Sequence, residues 1–130
     1  MKNLKKLIPV FLFSIVLVAC DNDKTDPVGI TVKDNVSFAL DIQPILTAEC
    51  ATCHNPTEVE PDFRADLAYA SFEDLIAEGD VITGDAEGSE LVEMLEGRSE
   101  DGNTMPPGGS LTPTEIALIK KWIDEGTKDN

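Results

Sequence analysis

Two cysteines three residues apart, with a histidine directly after the second, constrain this chain more than any other feature. They read Cys50-Ala51-Thr52-Cys53-His54. Residues three apart on a helical turn share a face, so both sulfurs can reach one flat ligand while the adjacent imidazole sits beneath it. C-x-x-C-H is the attachment pattern for haem c: two thioethers to the vinyl groups, with the histidine as proximal iron ligand. His54 is the only histidine in the 130 residues, so no second imidazole competes. In a chain of this composition the pattern arises by chance about 5 times in 10,000.

Three other chemistries use such cysteines. A thioredoxin-like C-x-x-C belongs to a βαβ context, and none is visible. A structural zinc needs a fourth Cys or His ligand, and none is left. A disulfide between Cys50 and Cys53 would close a tight, strained loop in a chain with no other bridge.

The N-terminus carries an export signal. Lys2, Lys5 and Lys6 precede an apolar run from Leu7 to Ala19. That run is too short for a spanning helix, which needs about 20 residues, and it fits a signal-peptide core. It ends in Leu17-Val18-Ala19-Cys20, which resembles a bacterial lipobox. The expected organisation is a signal peptide over 1–19, a lipidated Cys20 with a polar tether over 20–35, and one domain over 36–130. Lipidation of Cys20 would anchor the chain in the bacterial cell envelope, on the periplasmic or cell-surface side, since stable anchoring takes more than one acyl chain. Export also suits haem attachment, which takes place outside the cytoplasm.

Charge narrows the partners. There are 25 acidic and 10 basic residues, a formal charge of −15. Such a surface repels phosphates, which excludes nucleic-acid binding. It would speed encounter with a redox partner bearing a basic patch, or it is simply a solvated face.

A haem leaves a sixth iron position to fill. Met94 lies in an amphipathic helical pattern and reads as core packing. Met105 sits in Gly102-Asn103-Thr104-Met105-Pro106-Pro107-Gly108-Gly109, a stretch unsuited to helix or sheet. Pro106 biases Met105 towards extended backbone, and the two prolines stiffen the chain just beyond it. This can hold a thioether over a metal, so Met105 is the expected distal ligand.

These features resemble a class I c-type cytochrome domain of the kind called planctomycete-type cytochrome C. The resemblance runs from about Phe38 to Gly126. It is carried by Ile42-Gln43-Pro44-Ile45-Leu46 before the haem motif, Gly84-Asp85 with Ser89 and Leu91, and Met105-Pro106-Pro107. Leu111, Glu115, Ile116, Ile119, Trp122-Ile123 and Gly126 complete it. The chain departs from related patterns at Asn55-Pro56, where many have Gly, and at Pro61-Asp62-Phe63-Arg64. The resemblance implies one covalent haem c, His54/Met105 ligation and electron transfer.

Helix signals agree. Asp41 can cap a helix that tolerates Pro44 in its first turn. Ser71 with Asp74 resembles a capping box for a helix through Glu78, stopped by Gly79. Ser89 opens another, ended by Gly97. Thr112-Pro113-Thr114-Glu115 starts the last, with Ile116, Ile119, Trp122 and Ile123 on one face and Gly126 as the stop. The expected fold is all-α, a small class I cytochrome c-like domain with four or five short helices around one covalent haem.

The expected function is that of a mono-haem one-electron carrier, not an enzyme. A peroxidase-like enzyme needs an open iron and a distal acid–base group, and there is no second histidine. The alternative is a haem-based sensor or small-ligand binder in which Met105 is labile. The other ring nitrogen of His54 should bond a backbone carbonyl in the 55–63 loop. Arg64 and Arg98 could each pair with a haem propionate, although solvated surface roles suit them better. Trp122 reads as core rather than as an electron conduit.

Overall fold

The first helix opens at Ser37, four residues ahead of the cap expected at Asp41. In the computed structural model, which describes residues 29–130, the Ser37 hydroxyl accepts from the Leu40 N–H at 3.3 Å. Asp41 reaches back to accept the Ser37 N–H at 2.8 Å. The two side chains satisfy free N–H groups reciprocally, in the manner of a capping box. Asp41 therefore supports the cap from inside the helix. The signal peptide 1–19, Cys20 and the first part of the tether lie outside the described residues.

The helical path from Ser37 to Cys50 has three pieces. A π turn, Phe38–Ile42, leads into α1 (Gln43–Ile45), and a second π turn, Leu46–Cys50, completes the path. Pro44 lies in α1. It has no N–H, so a carbonyl of the preceding turn lacks its usual donor, and wider turns flank it. The second π turn closes with Ala51 N–H donating to Leu46 O at 2.9 Å.

Helix α2 (Ala68–Glu78) starts three residues before Ser71. Ser71 is thus buried within it and caps nothing. Its hydroxyl accepts from Asp62 N–H at 3.1 Å and donates to Asp62 C=O at 2.9 Å, clamping the preceding loop onto the helix. Gly79, at φ 95°, ends α2 in the left-handed conformation that suits glycine. Helix α3 (Glu90–Leu95) comes after Ser89, whose hydroxyl bonds Ile82 N–H and Asp85 C=O instead of capping. Helix α4 (Pro113–Asp124) opens on the full capping box between Thr112 and Glu115.

The core is aromatic and sits between these helices. Trp122 on α4 meets Phe72 on α2 edge-on at 4.9 Å, and both face Phe38. Such pairs add about 0.5–1.5 kcal/mol each beyond burial. The indole N–H donates to Lys128 O at 2.9 Å, so Trp122 buries no unpaired polar atom. Helix α4 packs on the Phe38–Ile42 turn and on α3. Between α3 and α4, Lys120 reaches the Glu96 carboxylate at 3.0 Å and also contacts Glu87.

Both ends of the described chain are fastened to the same pole. Asn130 accepts from Phe38 N–H through Oδ1 and from Ala39 N–H through its main-chain oxygen, satisfying free N–H groups of the first turn. The Glu125 carboxylate accepts from the Asn35 and Val36 N–H groups. Lys33 pairs with Asp41, and Asp34 with Lys121. Among the described residues there is no strand, only an isolated bridge between His54 and Val59. The architecture is a small all-α cytochrome-like domain.

Candidate functional site

The first helix ends at Cys50, and the next turn carries the rest of the motif. Cys53 N–H and His54 N–H both donate to Cys50 O, at 3.1 and 2.9 Å. One turn of backbone therefore presents two thiols and an imidazole together. Asn55 then fixes the loop. Its amide N–H₂ donates to Ala51 O and Thr52 O, capping the turn. Its oxygen accepts from Thr57 N–H and from the Thr57 hydroxyl. The chain returns so that Phe63 N–H donates to His54 O at 3.0 Å, with the two rings 5.3 Å apart.

Met105 reaches the site from the loop after α3. Gly97, at φ 68°, lets the chain leave α3 in the left-handed region. Met105 N–H then donates to Met94 O at 3.1 Å. The Met105-Pro106-Pro107 segment lines a cleft that is also lined by Cys50, Cys53 and His54. The four expected site residues of the domain are thus gathered around one space. Cys20 lies outside the described residues.

The cavity volume of that space is about 100 Å³, smaller than the roughly 300–1,000 Å³ usual for ligand pockets. Its walls are apolar, built largely from Phe63, Leu75, Leu91 and Leu95. Met94, read from sequence as core, is half-buried and lines the same cleft. Glu49 and Asp80 supply carboxylates at the wall, and neither was singled out by sequence. Arg64 and Arg98 do not line the cleft. Arg64 forks onto Asp62, with Nε and a terminal nitrogen at 3.0 and 2.7 Å. Arg98 is held among Glu87, Glu93 and Glu96.

Both motif cysteines are free thiols. Burial pushes the Cys50 thiol up to about 11, with help from the Glu49 and Glu115 carboxylates. A nucleophilic C-x-x-C cysteine needs the opposite, a lowered pKa, so thioredoxin-like exchange does not suit this site. Among the described residues no three of His, Cys, Asp and Glu gather into a metal-binding group.

His54 Nδ1 is buried and has no hydrogen-bond partner. The expected bond to a carbonyl of the 55–63 loop is not made. A buried unpaired polar atom costs about 1–3 kcal/mol and so calls for an explanation at a functional site. An imidazole beside two free thiols, in an apolar cleft that also holds a thioether, fits a haem.

Residues 50–109 match the family model described as planctomycete cytochrome C. Over these residues the chain is similar to a cytochrome c domain of that family. The match begins at Cys50 and ends at Gly109, so it contains the motif cysteines, His54 and Met105 and covers the middle of the Phe38–Gly126 resemblance. That likeness points to a c-type cytochrome with covalently bound haem c. No curated protein and no solved structure matches the chain significantly.

Proposed function

We propose that this chain is a mono-haem electron carrier of the bacterial cell envelope, with its haem joined to Cys50 and Cys53 and its iron held by His54 and Met105. The observation that carries the reading is the convergence of these four side chains on one apolar cleft. Haem supplies a one-electron Fe(III)/Fe(II) couple when bound. Cys50 and Cys53 hold the group in place. His54 offers Nε2 and keeps its proton on Nδ1. The Met105 thioether favours the reduced state relative to a second imidazole and so raises the potential. Leu75, Leu91 and Leu95 exclude water. With His54 and Met105 both holding the iron, no substrate would reach the metal, which speaks against an enzyme.

The surroundings belong to the same reading. Lipid on Cys20 would tether the domain to a membrane surface. The −15 formal charge would favour a redox protein with a basic docking patch over an acidic one. The test is the chain purified from a host competent in cytochrome maturation. It should weigh one haem more than its lipidated polypeptide, absorb as low-spin haem with a weak sulfur-to-iron band, and ignore carbon monoxide when reduced. A colourless product of polypeptide mass overturns the reading. Ready binding of carbon monoxide by the reduced protein instead establishes a sensor or ligand binder with a labile Met105.

A further inference from the structure

Two buried side-chain atoms among the described residues lack a hydrogen-bond partner: His54 Nδ1 and Gln43 Oε1. Their positions are related. Gln43 lies one turn before Thr47, to which its amide bonds, and His54 N–H donates to Cys50 O at the end of the same helical path. Gln43 Nε2 donates to Thr47 Oγ1 at 3.2 Å and to Phe63 O at 3.3 Å. Phe63 in turn donates its N–H to His54 O at 3.0 Å and lays its ring beside the imidazole. The glutamine amide and the histidine ring thus both meet Phe63.

The two unpaired atoms are also chemically complementary. Phe63 O can only accept, so the NH₂ end of Gln43 must face it. That leaves Oε1 as an acceptor without a donor. With Nε2 of His54 committed to iron, the ring proton resides on Nδ1, a donor without an acceptor. Phe63 O, in the loop expected to receive that proton, already accepts from Gln43.

We propose that Gln43 is the positioning residue of the proximal histidine, its Oε1 accepting the Nδ1–H of His54 in the haem-loaded protein. The inference rests on the haem-ligand reading above. Such a bond fixes the ring's orientation and tautomer and raises the basicity of the ligand, which favours Fe(III). The acceptor comes from a side chain in α1, and removing it also takes away the Nε2 donor to Phe63 O.

The experiment is the midpoint potential of the holoprotein and its variants by spectroelectrochemistry. Gln43→Leu, which removes the acceptor, is expected to raise the potential by about 59 mV, a tenfold change in the one-electron equilibrium. Gln43→Glu, a stronger acceptor, should lower it. Shifts in the same direction, or no shift in either, mean a packing role and overturn the proposal. In the reduced wild-type protein, nuclear magnetic resonance should show a slowly exchanging Nδ1 proton close to the Gln43 side chain. A proton that lacks that proximity overturns the proposal even if the variants do not fold. Unmoved potentials on a normal haem spectrum remove this inference alone. A wild-type chain that takes up no haem removes the ligand reading beneath it as well.

Discussion

The backbone N–H of Met105 donates to the carbonyl of Met94 at 3.1 Å. Both thioethers line the cleft, but they are carried differently. Met94 belongs to α3 and its direction is set by the helix. Met105 rides on a proline-stiffened loop pinned to that helix by the hydrogen bond. Met105→Ala should therefore give a high-spin haem that binds carbon monoxide when reduced. Met94→Ala should keep the low-spin spectrum and cost about 1–2 kcal/mol in denaturant unfolding, as loss of a half-buried side chain does. The reverse pair of spectra would make Met94 the ligand.

Ser71 connects the loop after the haem motif to α2. Its hydroxyl is the hydrogen-bond partner of both the Asp62 N–H and the Asp62 C=O. Ser71→Ala strands two buried backbone groups at once, at a cost of about 1–3 kcal/mol. The spectrum should survive, because Ser71 does not line the cleft. Urea unfolding monitored by far-UV circular dichroism measures the loss, and an unchanged midpoint would mean that water replaces the hydroxyl.

The same serine shows where sequence reading stops. A hydroxyl with an acid three residues on resembles a cap, and short polar side chains bond whichever backbone groups lie near. Nothing local indicates that Ser71 faces Asp62, nine residues back. Asp41 misled in a similar way, because the reciprocal partner at Ser37 shifts the helix start. By contrast Thr112 and Glu115 form their capping box from neighbouring residues alone, and the structure contains it. The clustered Cys50, Cys53 and His54 were legible because their chemistry lies within one turn. Met94 at the cleft wall was not, since an apolar helix face has the same pattern whether it meets core or cofactor. Gln43 meets Phe63 twenty residues away, a contact no short-range pattern encodes.

Acid should loosen the joint between α3 and α4. Burial pushes the Glu96 carboxyl up, but hydrogen bonds and charge from Lys120 and Arg98 outweigh it and hold the group below the ordinary Glu range. A folded pKa below the unfolded one stabilises above the unfolded pKa, and that stability is lost as pH falls through the folded pKa. Urea midpoints should therefore drop as pH is lowered past about 4.5. Glu96→Gln should be less stable at neutral pH and lose part of this acid dependence. A variant with the wild-type pH profile would show that the ion pair contributes nothing measurable.

Charge around the cleft should govern reaction rates. Glu49 and Asp80 are at its wall, and no Lys or Arg lines it, on a chain of formal charge −15. A cationic small-molecule reductant should therefore reduce the haem faster than an anionic one of similar potential. Screening lengths shrink from about 10 Å at 0.1 M salt to about 3 Å at 1 M. The advantage of the cation should fade over that range. Stopped-flow reduction with both reagents measures it, and equal rates at low salt would mean that the acidity lies away from the electron's route.

Membrane attachment and haem binding should separate cleanly in the intact chain. The N-terminal side of the domain is fastened by Lys33 to Asp41, by Asp34 to Lys121 and by Glu125 to the backbone at Asn35 and Val36. None of these residues lines the cleft. Cys20→Ser removes the only site for a thioether-linked lipid in the apolar-run context, so the chain should move from the membrane fraction to the soluble one. Its visible spectrum should stay the same, because the contacts at residues 33–36 remain. Fractionation with haem staining of each fraction reads both outcomes at once. A variant that stays with the membrane would assign attachment to something other than lipid on Cys20, and a soluble variant without haem would show that anchoring assists maturation.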